Sequence, residues 1–260
     1  MPGYSTKHHR SLHYKPRTAY WLFKYAIEAY ESEDTLRQRH RGRFHCYLSG
    51  EYHNVFGVQV ADTQGFILRD RHKHSPYMII AFRGTDVSWK MEGWRTTLLA
   101  TLGTAPWLKV RQERLKAHLG FIRAYGAVRA EVITAMKDIK PLRVYVTGYS
   151  MGAALATLAA VNIQARFPSV HVTVYNFASP CLGDHDFARV YNETVPDSHR
   201  VVHRGDLVPD LRLLFEHDIP VRFDCCHVGQ ERLLPRHPKS RSPHHEKIYY
   251  LEQLKAEAYG

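Results

Sequence analysis

YVTGYSMGAAL, residues 145–155, sets one serine between two glycines where one pattern gives way to another. Before it, LRVYVTG alternates apolar residues over the length of a strand. After it, MGAALATLAAVNIQARF is an alanine-rich helical run that Pro168 ends. Gly148 and Gly152 stand two residues on either side of Ser150. A serine hydroxyl is a weak nucleophile at neutral pH. It needs a base to take its proton and donors to hold the oxyanion formed on attack. A sharp turn from strand to helix lifts the hydroxyl to the edge of a sheet, and the flanking glycines let strand and helix approach closely. The first residue of such a helix, Met151, is placed to supply one oxyanion-hole N–H at the positive end of the helix. The competing reading is a serine in an ordinary glycine-rich turn. The alanines 153, 154, 156, 159 and 160 are structural under either reading, because they allow close packing on a sheet.

The surrounding chain fits a sheet. YMIIAF (77–82), VHVTVYNF (170–177) and SHRVVH (198–203) are apolar stretches of strand length. A long helix is expected over HLGFIRAYGAVRAEVITAMKDI, with Tyr125, Val128, Val132, Ile133 and Met136 on one stripe and Pro141 as its stop. A short helix is expected in FARVYNETV, and a closing one in EKIYYLEQLKAEA. Residues 18–39 read as a helix, and residues 44–70 as strands or irregular structure. Strands alternating with helices predict an α/β fold with a largely parallel sheet flanked by helices. No linker divides the chain. Residues 1–17 form a basic N-terminal tail, and 18–260 form a single domain.

Composition narrows the function classes. The 260 residues carry 36 Lys and Arg against 25 Asp and Glu, a formal net charge of +11. That excess favours anionic surfaces or acidic partners and says nothing of fold. The basic residues are scattered, without interleaved stacking aromatics, so no nucleic-acid partner is expected. Four cysteines, Cys46, Cys181, Cys225 and Cys226, have no metal-ligand spacing and read as reduced thiols. No HExxH or paired-carboxylate motif is present, so neither metal nor cofactor is expected. The polar N-terminus lacks the apolar core of a signal peptide, and no apolar run is long enough to span a bilayer. The expectation is a cytoplasmic protein with peripheral contact at anionic membranes.

A nucleophile needs partners downstream. Asp206, in VVHRGDLVPDL, follows an apolar strand and falls in a loop at the same sheet edge as Ser150. The late histidines are His244 and His245, in SPHHEKIYYLEQL. Most of the 18 histidines, such as His8, His9, His72 and His74, belong to basic loops.

Six ordered segments resemble the class 3 lipases, the α/β-hydrolase group that includes the fungal triacylglycerol lipases. They are AFRGTD (81–86), WKMEGWRTTL (89–98), AHLGFIRAYGAV (117–128), VTGYSMGAALATLAA (146–160), YNFASPCLGDHDFARVYN (175–192) and RVVHRGDLVPDL (200–211). The resemblance spans roughly residues 18–254 and implies an α/β-hydrolase fold. It gives Ser150 the nucleophile's role and Asp206 the acid's, and places Thr85 beside Met151 in the oxyanion hole. The frame HEKIYYLEQL, similar to that family's HSxxxYLxxL, selects His245 as the base. His244 stands where an acidic residue is common, so the pair stays open. Tyr149 replaces the histidine usual before the nucleophile, and Ala153 a frequent glycine. Residues 96–116 match poorly.

These features predict a serine ester hydrolase acting on acylglycerol or phospholipid esters. Trp89, Met91, Trp94, Leu98, Leu99 and Trp107 would form an apolar flap over Ser150, or else pack in the core. Two rival readings remain. One is a catalytically weak, basic membrane- or nucleic-acid-binding protein on a hydrolase scaffold. The other is an acyltransferase or thioesterase using the same triad.

Overall fold

The computed structural model describes residues 13–53, 59–70, 76–84, 102–206, 208–209, 225–236 and 246–260. Seven strands form one sheet in chain order: β1 (Phe44–His53), β2 (Gln59–Arg69), β3 (Tyr77–Phe82), β4 (Arg143–Tyr149), β5 (His171–Phe177), β6 (Ser198–His203) and β7 (Gln230–Leu234). β1, β2 and β3 pair antiparallel. From β3 to β7 every pairing is parallel. The helices are α1 (Pro16–Glu28), α2 (Glu33–Arg39), α3 (Leu119–Ile139), α4 (Met151–Arg166), α5 (His185–Thr194) and α6 (Lys247–Tyr259). Parallel neighbours in sequential order need crossovers of one hand, which deposits α3, α4 and α5 on a single face. α1 and α6 cover the other.

The strand period of two divides the core accordingly. On β3, Met78, Ile80 and Phe82 join the core beneath α3–α5, whereas Ile79 and Ala81 join the one beneath α1 and α6. Both faces are covered, which is why YMIIAF reads as an unbroken apolar run. α4 is buried at every residue from Met151 to Ile163. Its alanines let it lie close to β3, β4 and β5 on one side and α3 on the other. On the opposite face Phe23 meets Phe177 at 4.7 Å, Tyr250 at 5.7 Å and Tyr149 at 5.9 Å between ring centroids. Burying a side chain of that size stabilises by about 1.5–3 kcal/mol.

Several elements differ from the sequence reading. The helix expected over 18–39 is two helices. Ser32 breaks it, its Oγ accepting from Thr35 N–H at 3.3 Å as the cap of α2. The stretch taken as tail, 1–17, overlaps the fold: α1 starts at Pro16, and Tyr14 packs on Tyr175 and His199. Trp107, a flap candidate, lies against the first core with its ring 5.1 Å from Tyr125. The other five flap candidates fall outside the described residues. The cysteines require a correction, because Cys181 and Cys225 are joined in a disulfide with Cα atoms 5.8 Å apart. Cys181 follows β5 and Cys225 precedes β7. A backbone bond from Cys226 N–H to Gly183 O, 2.7 Å, fastens the two segments together. The 44-residue separation concealed that proximity.

A bridge closing a loop of that length stabilises by about 4 kcal/mol in the chain-entropy account. Reduction is therefore expected to lower the unfolding midpoint. Alkylation in denaturant without reductant is expected to label Cys46 and Cys226 alone. Labelling of all four would remove the bridge.

Candidate active site

The parallel strands deliver their ends to one edge. There β4 runs into α4 through Ser150, the single residue between strand and helix. Ser150 takes φ 58° and ψ −128°. A side chain at such a backbone position costs on the order of 1–3 kcal/mol and persists only where the surroundings impose it. Here Ser150 N–H donates to Phe177 O at 3.0 Å, and Ser150 O accepts from Ala153 N–H at 2.9 Å. The glycines allow the geometry. A Cβ on Gly148 would strike the carbonyl of Gly152, and one on Gly152 would stand 2.8 Å from the carbonyl carbon of Arg83. Met151 is the first helical residue, so its N–H sits at the positive end of α4. The Ser150 hydroxyl is buried, and its Oγ has no hydrogen-bond partner among the described residues. Buried polar atoms are rarely left so, and an uncommitted hydroxyl on a strained turn is a reactive-site feature.

Asp206 follows β6 after a tight turn, its N–H donating to His203 O at 3.0 Å. The carboxylate is buried and held from two sides: Oδ1 accepts from Val208 N–H at 2.9 Å, and Oδ2 from the Tyr250 hydroxyl at 2.8 Å. The same hydroxyl accepts from His203 N–H at 2.9 Å. Burial first, then the Asp206 charge, push the Tyr250 phenol well above its ordinary pKa, so it stays a donor at any working pH. Tyr149 is raised likewise, by burial and then by Asp206, Tyr30 and Glu246. Its ring meets Tyr250 edge-on at 5.8 Å. The residue beside the serine thus touches the residue that clamps the acid.

β3 completes the edge. Gly84 backs onto Tyr149 and Ser150, where an added Cβ would lie 3.3 Å from Ser150 Cβ. Tyr30 borders the same spot, with Arg83 5.4 Å and Lys247 3.2 Å from its ring centroid. Thr85, His244 and His245 lie outside the described residues. Their chain neighbours Gly84, Glu246 and Lys247 do reach this edge. Of the residues named from sequence, the structure therefore places Ser150, Met151 and Asp206 at one edge of the sheet. The sequence reading missed the clamp on the acid. Tyr250 entered it only as a spacing mark after His245, and helical phase alone says no more than that this tyrosine is buried.

Residues 79–215, just over half of the chain, match the family model described as Lipase (class 3). A lipase of Rhizomucor miehei is 28% identical over 184 residues, 68% of this chain and 46% of that protein. The secreted mono- and diacylglycerol lipase A of Penicillium cyclopium is 32% identical over 160 residues, 60% of this chain and 48% of that protein. The chain spans about half the length of the relatives it matches by sequence. The solved structure of the Rhizomucor miehei triacylglyceride lipase superposes with a TM-score of 0.59 at 22% identity, covering 82% of this chain and 77% of that one. The fold is the α/β-hydrolase fold expected from the sequence.

Replacing Tyr250 by Phe removes a donor from a buried carboxylate and an acceptor from a buried N–H. Urea unfolding is expected to show a loss of roughly 1–3 kcal/mol. An unchanged midpoint would mean that the two hydrogen bonds hold nothing in place.

Proposed function

This chain belongs to the class 3 lipase family, and on that footing we propose that it hydrolyses carboxylic esters of lipids through a Ser150–His245–Asp206 triad. The observation that carries the proposal is the strained turn that presents a buried Ser150 hydroxyl, with no hydrogen-bond partner among the described residues, at the N-terminus of α4. In this reading His245 takes the proton as Ser150 Oγ attacks the ester carbonyl. The N–H groups of Met151 and Thr85 hold the oxyanion. The alcohol leaves with the proton returned by His245, and water then cleaves the acyl-enzyme by the same route. Asp206 keeps the imidazole oriented and stabilises its charged form. Each oxyanion donor contributes about 3–4 kcal/mol to the transition state.

The substrates proposed are acylglycerol or phospholipid esters met at a membrane surface, with residues 18–260 acting as one domain and with no nucleic-acid partner. A purely binding protein has no use for strain held at a serine, which disfavours that rival. The Cys181–Cys225 bridge supports residence in an oxidising compartment, in place of the cytoplasm expected from sequence. Among the described residues no helix is long and apolar enough to cross a membrane.

A serine-directed phosphonate is expected to label Ser150 alone. Ser150→Ala is expected to lower ester turnover by about a thousandfold or more with the fold intact, because triad members act as a unit. A folded Ser150→Ala protein that keeps most of its activity would end the assignment.

For the base, His245→Ala is expected to be inactive and His244→Ala close to normal. The reverse result moves the role to His244.

A further inference from the structure

Among the described residues five large hydrophobic side chains are exposed, and three of them lie on the paired helices α1 and α6: Trp21 (46%), Ile248 (48%) and Tyr259 (54%). They are not scattered. Tyr259 packs edge-on against Tyr20 at 5.5 Å, and Tyr20 against Trp21 at 5.6 Å. A cation closes each end of this row. The Arg17 guanidinium lies 5.5 Å from the Tyr259 ring centroid, and Lys24 Nζ lies 4.6 Å from that of Trp21. Helical spacing accounts for the grouping: residues 17, 21 and 24 share the outer stripe of α1, and residues 248, 255 and 259 that of α6. The inner sides, with Leu22, Phe23, Tyr250 and Leu254, enter the core.

We propose that this face is a docking surface for an anionic lipid bilayer. The proposal rests on the lipid-ester reading above and names the surface by which such a protein would meet its substrate phase. Trp and Tyr, with apolar rings and a polar edge, favour the depth of lipid head groups. Flanking Arg and Lys attract anionic ones. Lys255 adds a third cation on the α6 stripe. The acids nearby are Glu252, on that stripe, Glu246 just before α6, Glu257, which is held by Arg232 at 2.6 Å and Tyr14 at 3.1 Å, and Glu28, which is held by His40 at 2.8 Å and Arg39 at 3.6 Å. The patch is therefore net positive, and its sign matches that of the whole chain. In a self-association surface Arg17, Lys24 and Lys255 would outnumber Glu252 on the stripe and repel the same cations of a second copy. α6 also joins this face to the active site, since the helix that exposes Ile248 and Tyr259 turns Tyr250 inward onto Asp206.

The test uses the full chain with Ser150→Ala, so that the vesicles stay intact. Sedimentation is compared on phosphatidylcholine vesicles with and without phosphatidylserine. The protein is expected to partition onto the anionic vesicles, less so at high salt. Arg17→Glu with Lys24→Glu, and separately Trp21→Ala with Tyr259→Ala, are each expected to weaken that partition about tenfold or more. Thermal unfolding is followed for each variant, because Arg17 Nε also donates to Ala258 O at 3.3 Å, and Lys24→Gln serves as a milder variant if charge reversal impairs folding. Partition equal to the parent's in both double variants would overturn the proposal, as would a parent that ignores anionic vesicles. Variants that lose binding to polyglutamate while keeping their vesicle partition would mark an acidic protein partner and overturn it too. Turnover of a soluble short-chain ester, with Ser150 present, tests the hydrolase reading separately.

Discussion

The approach of α4 to β3 is the constraint on which the rest of the structure depends. Gly152 sits where any side chain would press into the Arg83 carbonyl, so the first turn of the helix and the last residues of β3 share one layer of space. Ser150 cannot relax to an ordinary backbone conformation without driving that helix off the sheet. The strain is met by the burial of thirteen consecutive residues of α4, Met151 to Ile163, which no single local cost can reverse. The alanines are therefore as necessary to the turn as the glycines. Bulkier residues would hold the helix off the sheet and remove the force that keeps Ser150 at positive φ.

The opposite face supplies the second half of the arrangement. α6 comes last among the described elements, yet its Tyr250 reaches through the core to Asp206 and to the backbone of His203. Phe23, Tyr149, Phe177 and Tyr250 form one aromatic packing group, so a shift in any of them reaches both the serine's turn and the acid's clamp. Tyr149, raised well above its ordinary pKa by burial and then by Asp206, stays neutral beside the serine. The elbow thus brings no extra charge close to the buried carboxylate.

How much of this could be read from the chain depends on how local each signal was. The elbow was legible, since a strand period, two glycines and a run of alanines meet within eleven residues. Asp206 was legible as a residue just past an apolar strand. β7 was not, because Gln230–Leu234 buries only Leu234 and pairs as a parallel edge strand without alternation. Ser32 carried a local sign, a serine followed by Glu33, Asp34 and Thr35, which the helical run around it outweighed. The Cys181–Cys225 pair and the Tyr250–Asp206 bond were beyond reach: each joins segments that only the finished sheet brings together. Thr85 and His245 rest on family resemblance, since nothing in their own residue patterns selects them.

Burial of the site has a consequence for chemistry. Ser150 is 1% exposed and Asp206 7%. A dry surrounding strengthens each hydrogen bond to a developing oxyanion and keeps water from competing for it. β4, α4 and the Tyr250 clamp are fixed by the two cores, so the serine and the carboxylate are not free to shift. Packed elements on both faces of the sheet thus hold Ser150 and Asp206 in fixed positions, which is what preorganised hydrogen bonding at a dry site requires.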